Sequence, residues 1–313
     1  MPANLTPQYY AAEDAYKNAV TVKEKIAALE EMLAVIPKHK GTEKLQADLK
    51  KRLSKLRQEG SAKSSASRFD PFHIEKEGAG QIALLGFPNS GKSALVGRLS
   101  RARVKIADYP FTTTAPIAGM MPYENVLIQL VDTPPISDEI TPPGLSGLLR
   151  NAHLVMIVID AGSDDCLEHL GKVLDYMKEK RLSDKRCAIV ANRFDLAVDE
   201  EIIDMIRDAA PPGVEVIATS AETGHNLEYL RWYLFELLGV VRIYTKAPGR
   251  EPDKKAPFIM PRGSTVVDLA ESIHKDLARR IKNVRVWGST RFPGQPVPRE
   301  YELSDEDIVE INQ

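Results

Sequence analysis

Eight consecutive residues, Gly86-Phe87-Pro88-Asn89-Ser90-Gly91-Lys92-Ser93, fit the pattern G-x-x-x-x-G-K-[ST]. Glycines at its ends let the backbone curl until successive N–H groups converge on phosphate oxygens. In that geometry Lys92 reaches the β- and γ-phosphates and the Ser93 hydroxyl binds Mg²⁺. Forty residues on, Asp132 closes the apolar run Val126 to Val131 and opens Asp132-Thr133-Pro134-Pro135. A carboxylate there is placed to hold Mg²⁺ through water.

A third group follows the run Cys187 to Val190: Asn192-Arg193-Phe194-Asp195, 60 residues beyond Asp132. Asp195 is suited to accept hydrogen bonds from the N1–H and 2-amino group of guanine. Adenine offers no such pair of donors, so the acid selects the base. After the next apolar run comes Thr219-Ser220-Ala221, where the Ala221 N–H can meet the guanine O6. Each of these loops alone reads equally as an ordinary polar turn. Their order and spacing behind a phosphate loop make them a guanine-nucleotide set.

Such loops need strand ends to stand on. Ile82 to Leu85, Val126 to Ile128, Leu154 to Ile159, Cys187 to Val190 and Val214 to Ile217 read as strands. Ser93 to Leu99, Leu167 to Lys180, Glu200 to Ala209 and Leu227 to Leu238 read as helices. This alternation predicts an α/β domain over residues 79–240, with a mostly parallel sheet and its ligand at the strands' carboxyl ends. Upstream, Val22, Ile26, Leu29, Leu33 and Ile36 share one helix face, and Leu45, Leu49, Leu53 and Leu56 repeat the spacing. A helical hairpin is expected over residues 1–60, followed by a small, polar linker over 61–78. The Leu repeats last too few heptads for a zipper.

The 313 residues carry 42 Lys+Arg against 44 Asp+Glu, a net charge of −2, and 43% hydrophobic residues, which excludes general disorder. Only Cys166 and Cys187 are present, so a disulfide scaffold is excluded and a reducing compartment fits. The longest apolar run, Leu154 to Ile159, is far short of a membrane span, and Met1 to Tyr10 lacks a secretory pattern. A cytoplasmic protein is expected. The six histidines are scattered without zinc-ligand spacing.

The order of these motifs resembles the translation-factor-related GTPases, and Ile106-Ala107-Asp108-Tyr109-Pro110-Phe111-Thr112-Thr113 is similar to switch I of the Obg branch. The resemblance implies GTP and GDP as ligands and Thr113 as a further Mg²⁺ ligand beside Ser93 and Asp132. It also implies a K⁺ site at Asn89, as in potassium-stimulated GTPases of this class. Ile36-Pro37-Lys38-His39-Lys40-Gly41-Thr42-Glu43 resembles the N-terminal region of the developmentally regulated GTP-binding proteins. Val241 to Lys246, Arg262 to Asp268 and Val284 to Gly288 resemble their TGS domain, a ubiquitin-like β-grasp module expected over 241–313.

Three departures stand out. The 60 residues between Asp132 and Asn192 leave no room for that family's inserted domain. Arg193 replaces a Lys whose stem packs on the base; a planar guanidinium can stack similarly. The glycine of Asp-x-x-Gly is Pro135, which has no N–H to give a γ-phosphate, and Ile136 stands where many GTPases carry a water-orienting Gln. The Obg branch generally has a hydrophobic residue there. Slow hydrolysis is expected, carried by Lys92, Thr113 and Asn89; the alternative is a nucleotide-binding scaffold that has lost hydrolysis.

Charge is concentrated at the ends. Residues 38–68 hold ten basic against three acidic residues, and residues 242–296 hold twelve against five, each net +7. Basic surfaces flanking an acidic middle suit RNA phosphates, and the resemblance implies ribosome association. Solvated helix faces would carry the same charges.

Overall fold

The computed structural model describes residues 7–19, 22–36, 42, 45–54, 71–100, 115–137, 141–197, 201–254 and 256–312. They fall into two compact units, residues 1–70 and 71–313. Switch I, with Thr113, lies outside the described residues. No helix among those described is long and apolar enough to cross a membrane.

Among its described residues the first unit holds three helices where the leucine spacing predicted two: α1 (Pro7–Asn18), α2 (Val22–Val35) and α3 (residues 45–54). Leu29, Met32, Ile36, Leu49 and Leu53 are buried together, as the spacing requires. Tyr9 and Ala12 of α1 complete that core. Their weakly apolar period hides the extra helix from a leucine-based reading.

The second unit opens with a six-stranded sheet. Its strands are β1 (Gln81–Leu85), β2 (Ile117–Tyr123), β3 (Val126–Asp132), β4 (Leu154–Asp160), β5 (Cys187–Asn192) and β6 (Val216–Ala218), in the order β2-β3-β1-β4-β5-β6. All neighbours are parallel except β2 and β3. Alternation along β4 shows why both faces must be covered. Leu154, Met156 and Val158 enter one core with α4 (Lys92–Leu99) and α8 (Leu227–Leu238). Val155, Ile157 and Ile159 enter the other with α5 (Leu145–Asn151), α6 (Cys166–Glu179) and α7 (Glu201–Ala209). The β2 strand and α5 are additions to the predicted elements. β2 carries Gly119 and Pro122, poor strand residues that an edge position tolerates; a Cβ at Gly119 would lie 2.6 Å from Ser100 Oγ. Expected at Val214, β6 starts at Val216 because Val214 still belongs to a turn, its N–H donating to Pro211 O.

The C-terminal module has a five-stranded mixed sheet, ordered β10-β9-β11-β7-β8: β7 (Val240–Thr245), β8 (Phe258–Pro261), β9 (Asn283–Trp287), β10 (Gln295–Pro296) and β11 (Ile308–Asn312). Val266 and Leu269 of α9 (Val266–Ile273) pack with Ile243, Val286 and Val309 of the sheet, and α10 (Lys275–Arg280) follows. The start of α9 is fixed by a reciprocal cap, in which the Asp268 carboxylate accepts Thr265 N–H and Thr265 Oγ1 accepts Asp268 N–H.

Candidate functional site

The phosphate loop runs from the end of β1 into α4 and is held by contacts that only glycine permits. A Cβ on Gly86 would lie 2.3 Å from Val158 O, and one on Gly91, at φ 87°, would lie 2.1 Å from Asn192 Nδ2. Lys92 begins α4 and is buried. Its Nζ donates to Gly86 O at 3.0 Å and Phe87 O at 2.9 Å. Burial pulls this lysine down to about 8, against the attraction of Asp132. Beside it Ser93 Oγ donates to Asp132 Oδ2 at 2.5 Å. Burial pushes the Asp132 carboxyl up, with the Ser93 bond and Lys92 opposing. The Ser90 hydroxyl is buried without a hydrogen-bond partner among the described residues. Phe87 turns away from the cleft and stacks on His169 with ring centroids 4.3 Å apart.

Pro88, Asn89, Lys92, Asp132, Pro135 and Arg193 are among the walls of a cleft of about 470 Å³. A hydroxyl and a carboxylate in contact, and a lysine bonded among the described residues only to carbonyls, together fit Mg²⁺ and a polyphosphate. This donor set suits a hard cation and a multiply charged anion.

The segment after Asp132 is tied down. Thr133 Oγ1 donates to Leu84 O at 2.5 Å, and Ile136 N–H donates to Gly86 O at 3.3 Å, the carbonyl that also receives Lys92. Ile136 is buried, while Pro135 is exposed on the cleft. Across residues 134–136, two prolines have no N–H and the third amide is already used.

The expected base-reading loops meet the phosphate loop through Asn192. Its Nδ2 donates to Ser90 O at 3.1 Å, and its Oδ1 accepts Ala221 N–H at 3.1 Å. The Ala221 amide, expected to face a purine carbonyl, thus serves Asn192 as placed. Buried Ser220 closes its own turn, accepting Thr223 N–H at 3.0 Å. Asp195 sits on a single 3₁₀ turn, Phe194–Leu196, exposed and without a bonded partner among the described residues. Arg193, at φ 58°, points Nη1 to Asp160 Oδ2 at 2.8 Å. Asp160 was missed by the sequence reading, although it closes an apolar strand just as Asp132 does.

The chain is similar to known GTP-binding proteins. Residues 81–193 match the family model described as 50S ribosome-binding GTPase, and residues 241–312 match the TGS domain. A GTP-binding protein of Methanocaldococcus jannaschii is 28% identical over 93% of this chain and 92% of its own. Developmentally-regulated G-protein 2 of Arabidopsis thaliana is 29% identical over 93% and 91%. Human developmentally-regulated GTP-binding protein 2 is 27% identical over 93% and 99%. The first of these alignments runs to 362 positions, whereas 93% of 313 residues is about 291, so about 70 positions of the relative have no counterpart here. Among solved structures, the YchF GTPase of Schizosaccharomyces pombe superposes with a TM-score of 0.55 at 12% identity, over 77% of this chain and all of that one. A GTP binding protein of Pyrococcus horikoshii gives 0.50 at 17% identity, over 74% and 99%. These two show the fold.

Proposed function

We propose that the chain, similar over 93% of its length to developmentally regulated GTP-binding proteins, is a slow, cytoplasmic GTPase that regulates a step on the ribosome or another RNA. The observation that carries this reading is the Ser93–Asp132 contact beside a buried lysine that donates to loop carbonyls. In the proposed roles, the amides of residues 86–93 and Lys92 hold the phosphates, and Ser93, Asp132 and Thr113 hold Mg²⁺. Bound Mg²⁺ supplies charge neutralisation on the β- and γ-phosphates. Asp195 reads the guanine edge, Asn192, Ser220 and Ala221 shape the pocket around it, and Arg193 flanks the base. Asn89 takes K⁺, which adds positive charge where the transition state gathers negative charge. Buried Ile136 cannot orient a water, which fits slow turnover.

The proposed division is a helical unit over 1–60, a linker over 61–78, a G domain over 79–240 and a TGS domain over 241–313. The basic ends supply the RNA-facing surfaces, and the ribosome-binding description of the matched family supports that choice of partner.

A second reading, a nucleotide-binding scaffold without hydrolysis, is favoured by one feature: residues 134–136 offer no free amide to a γ-phosphate. Single-turnover γ-phosphate release separates the two. A Lys92-dependent rate above background supports the GTPase; none supports the scaffold. Equal affinity for GDP and ADP would sink the guanine assignment.

A further inference from the structure

The turn between β4 and α6 holds an acid that neither the phosphate motif nor the guanine motif uses. Asp160 ends β4 and pairs in register with Asn192 at the end of β5. Its side chain is only 16% exposed and is bonded in two directions. Oδ1 accepts Gly162 N–H at 3.0 Å, and Oδ2 accepts Arg193 Nη1 at 2.8 Å. The same turn grips the base-reading loop twice more. Ala161 N–H donates to Asn192 O at 2.8 Å. Gly162 lies so close beneath Leu196 that a Cβ there would approach Leu196 Cβ to 2.8 Å. Asp195 stands between Arg193 and Leu196, so its backbone is propped from below by residues 160–162.

Arg193 needs this support. At φ 58° it occupies the left-handed region that residues other than glycine rarely adopt, and its long side chain has many rotamers to lose. Asp160 engages the guanidinium at one edge, in the manner of an Arg–carboxylate pair. Such an edge-on bond leaves both flat faces of the guanidinium open for an aromatic base. A point-charge ammonium would have no such face.

We propose that Asp160 is a positioning residue for the nucleobase: it holds Arg193 at the cleft wall so that a guanidinium face lies against the purine that Asp195 reads. The proposal rests on the reading of the cleft as a guanine-nucleotide site. Because it acts on the base and not on the phosphates, it bears on GDP and GTP alike.

The test uses the full-length chain and two single variants with their double. Asp160→Asn keeps an oxygen for Gly162 N–H and removes the charge that holds Arg193; Arg193→Met removes the partner from the other side. Calorimetric titration is expected to show each single variant binding GDP and a non-hydrolysable GTP analogue about tenfold more weakly, a loss of about 1.4 kcal/mol. The loss is the same for both ligands, and the double variant is no worse than either single one. In steady-state hydrolysis KM rises and kcat stays put. A merely structural Asp160 would lower the melting temperature without that non-additivity. Undiminished affinity in Asp160→Asn, or an equal further loss when it is added to Arg193→Met, overturns the proposal. Should Asp160→Asn fail to fold, full GDP affinity in Arg193→Met overturns it as well. Failure of the unmutated chain to bind GDP overturns the functional reading itself, and this one with it.

Discussion

Two buried cations in the second unit, Lys92 and Arg242, have opposite surroundings. Both are about 5% exposed, Lys92 at 6% and Arg242 at 4%. Among the described residues Lys92 has only backbone carbonyls as bonded partners, and burial drags its pKa down to about 8. Arg242, near the start of β7, is surrounded by counter-charge. Its Nη2 and Nε donate to Asp305 at 2.6 and 3.1 Å, and Nη1 reaches Asn125 at 3.2 Å and Glu124. Phe235 lies 5.1 Å beneath the guanidinium. The Asp305 bonds hold this arginine above its already high ordinary value, against the cost of burial. A buried cation short of negative charge marks a place for an anionic ligand; one already supplied marks a join. Here the join ties the β2–β3 turn, residues 124 and 125, to the C-terminal module.

The sharpest way to break this contrast is Arg242→Met. Removing one member of a buried pair strands the other, at a cost of about 3 kcal/mol, the low end of the usual range because Asp305 stays partly hydrated. Urea unfolding is expected to show that loss while GDP affinity changes little. Asp305 adds a pH signature. Burial pushes its carboxyl up, but the several bonds from Arg242 outweigh this and hold it below the ordinary value. Its contribution is therefore present above the pKa of an unfolded Asp and is lost as pH falls through the depressed folded value. Below about pH 4 the unmutated chain should lose stability more steeply than Arg242→Met.

Lys92→Met should do the reverse. Nucleotide affinity is expected to fall about a hundredfold, roughly 2.7 kcal/mol, with a melting temperature equal or higher, since an underpaired buried charge has been removed. A large loss of stability would show that Lys92 is a structural cation after all. Smaller still is Pro135→Gly, which restores an N–H and the freedom to turn. A gain of about tenfold in the ratio of GTP-analogue to GDP affinity and faster hydrolysis are expected. No change in either quantity would leave Pro135 unconnected to γ-phosphate sensing. The mildest test compares turnover in KCl and NaCl at equal ionic strength, where a few-fold stimulation by K⁺ is expected if Asn89 holds the ion.

The contrast also explains what could be read from sequence. Lys92, Ser93, Asp132 and Asn192 were legible because each sits at a fixed offset from an apolar strand, and strand ends converge in a parallel sheet. Asp160 obeyed the same rule and was passed over because no motif surrounds it. Arg242 was illegible in principle: its partners Glu124 and Asp305 lie 118 and 63 residues away. The α1 helix escaped because Tyr9, Ala12 and Tyr16 mark its face with little hydrophobicity. β2 escaped because Gly119 and Pro122 argue locally against the strand that pairing with β3 imposes.

One amide group joins the phosphate loop to the loop after β6. Asn192 bridges Ser90 O and Ala221 N–H, while Gly91 leaves its Nδ2 no spare room. The loops proposed to hold the base and the phosphates are thereby spaced by a single side chain, as the jaws of a calliper are by their beam. Under the proposed roles a ligand would be gauged for length as well as for chemistry: guanosine alone or pyrophosphate alone would occupy one jaw, and only a molecule of nucleotide span would close on both. Asn192→Ala would release the beam, so that joining base and phosphate in one molecule would no longer yield the affinity that the two halves add together.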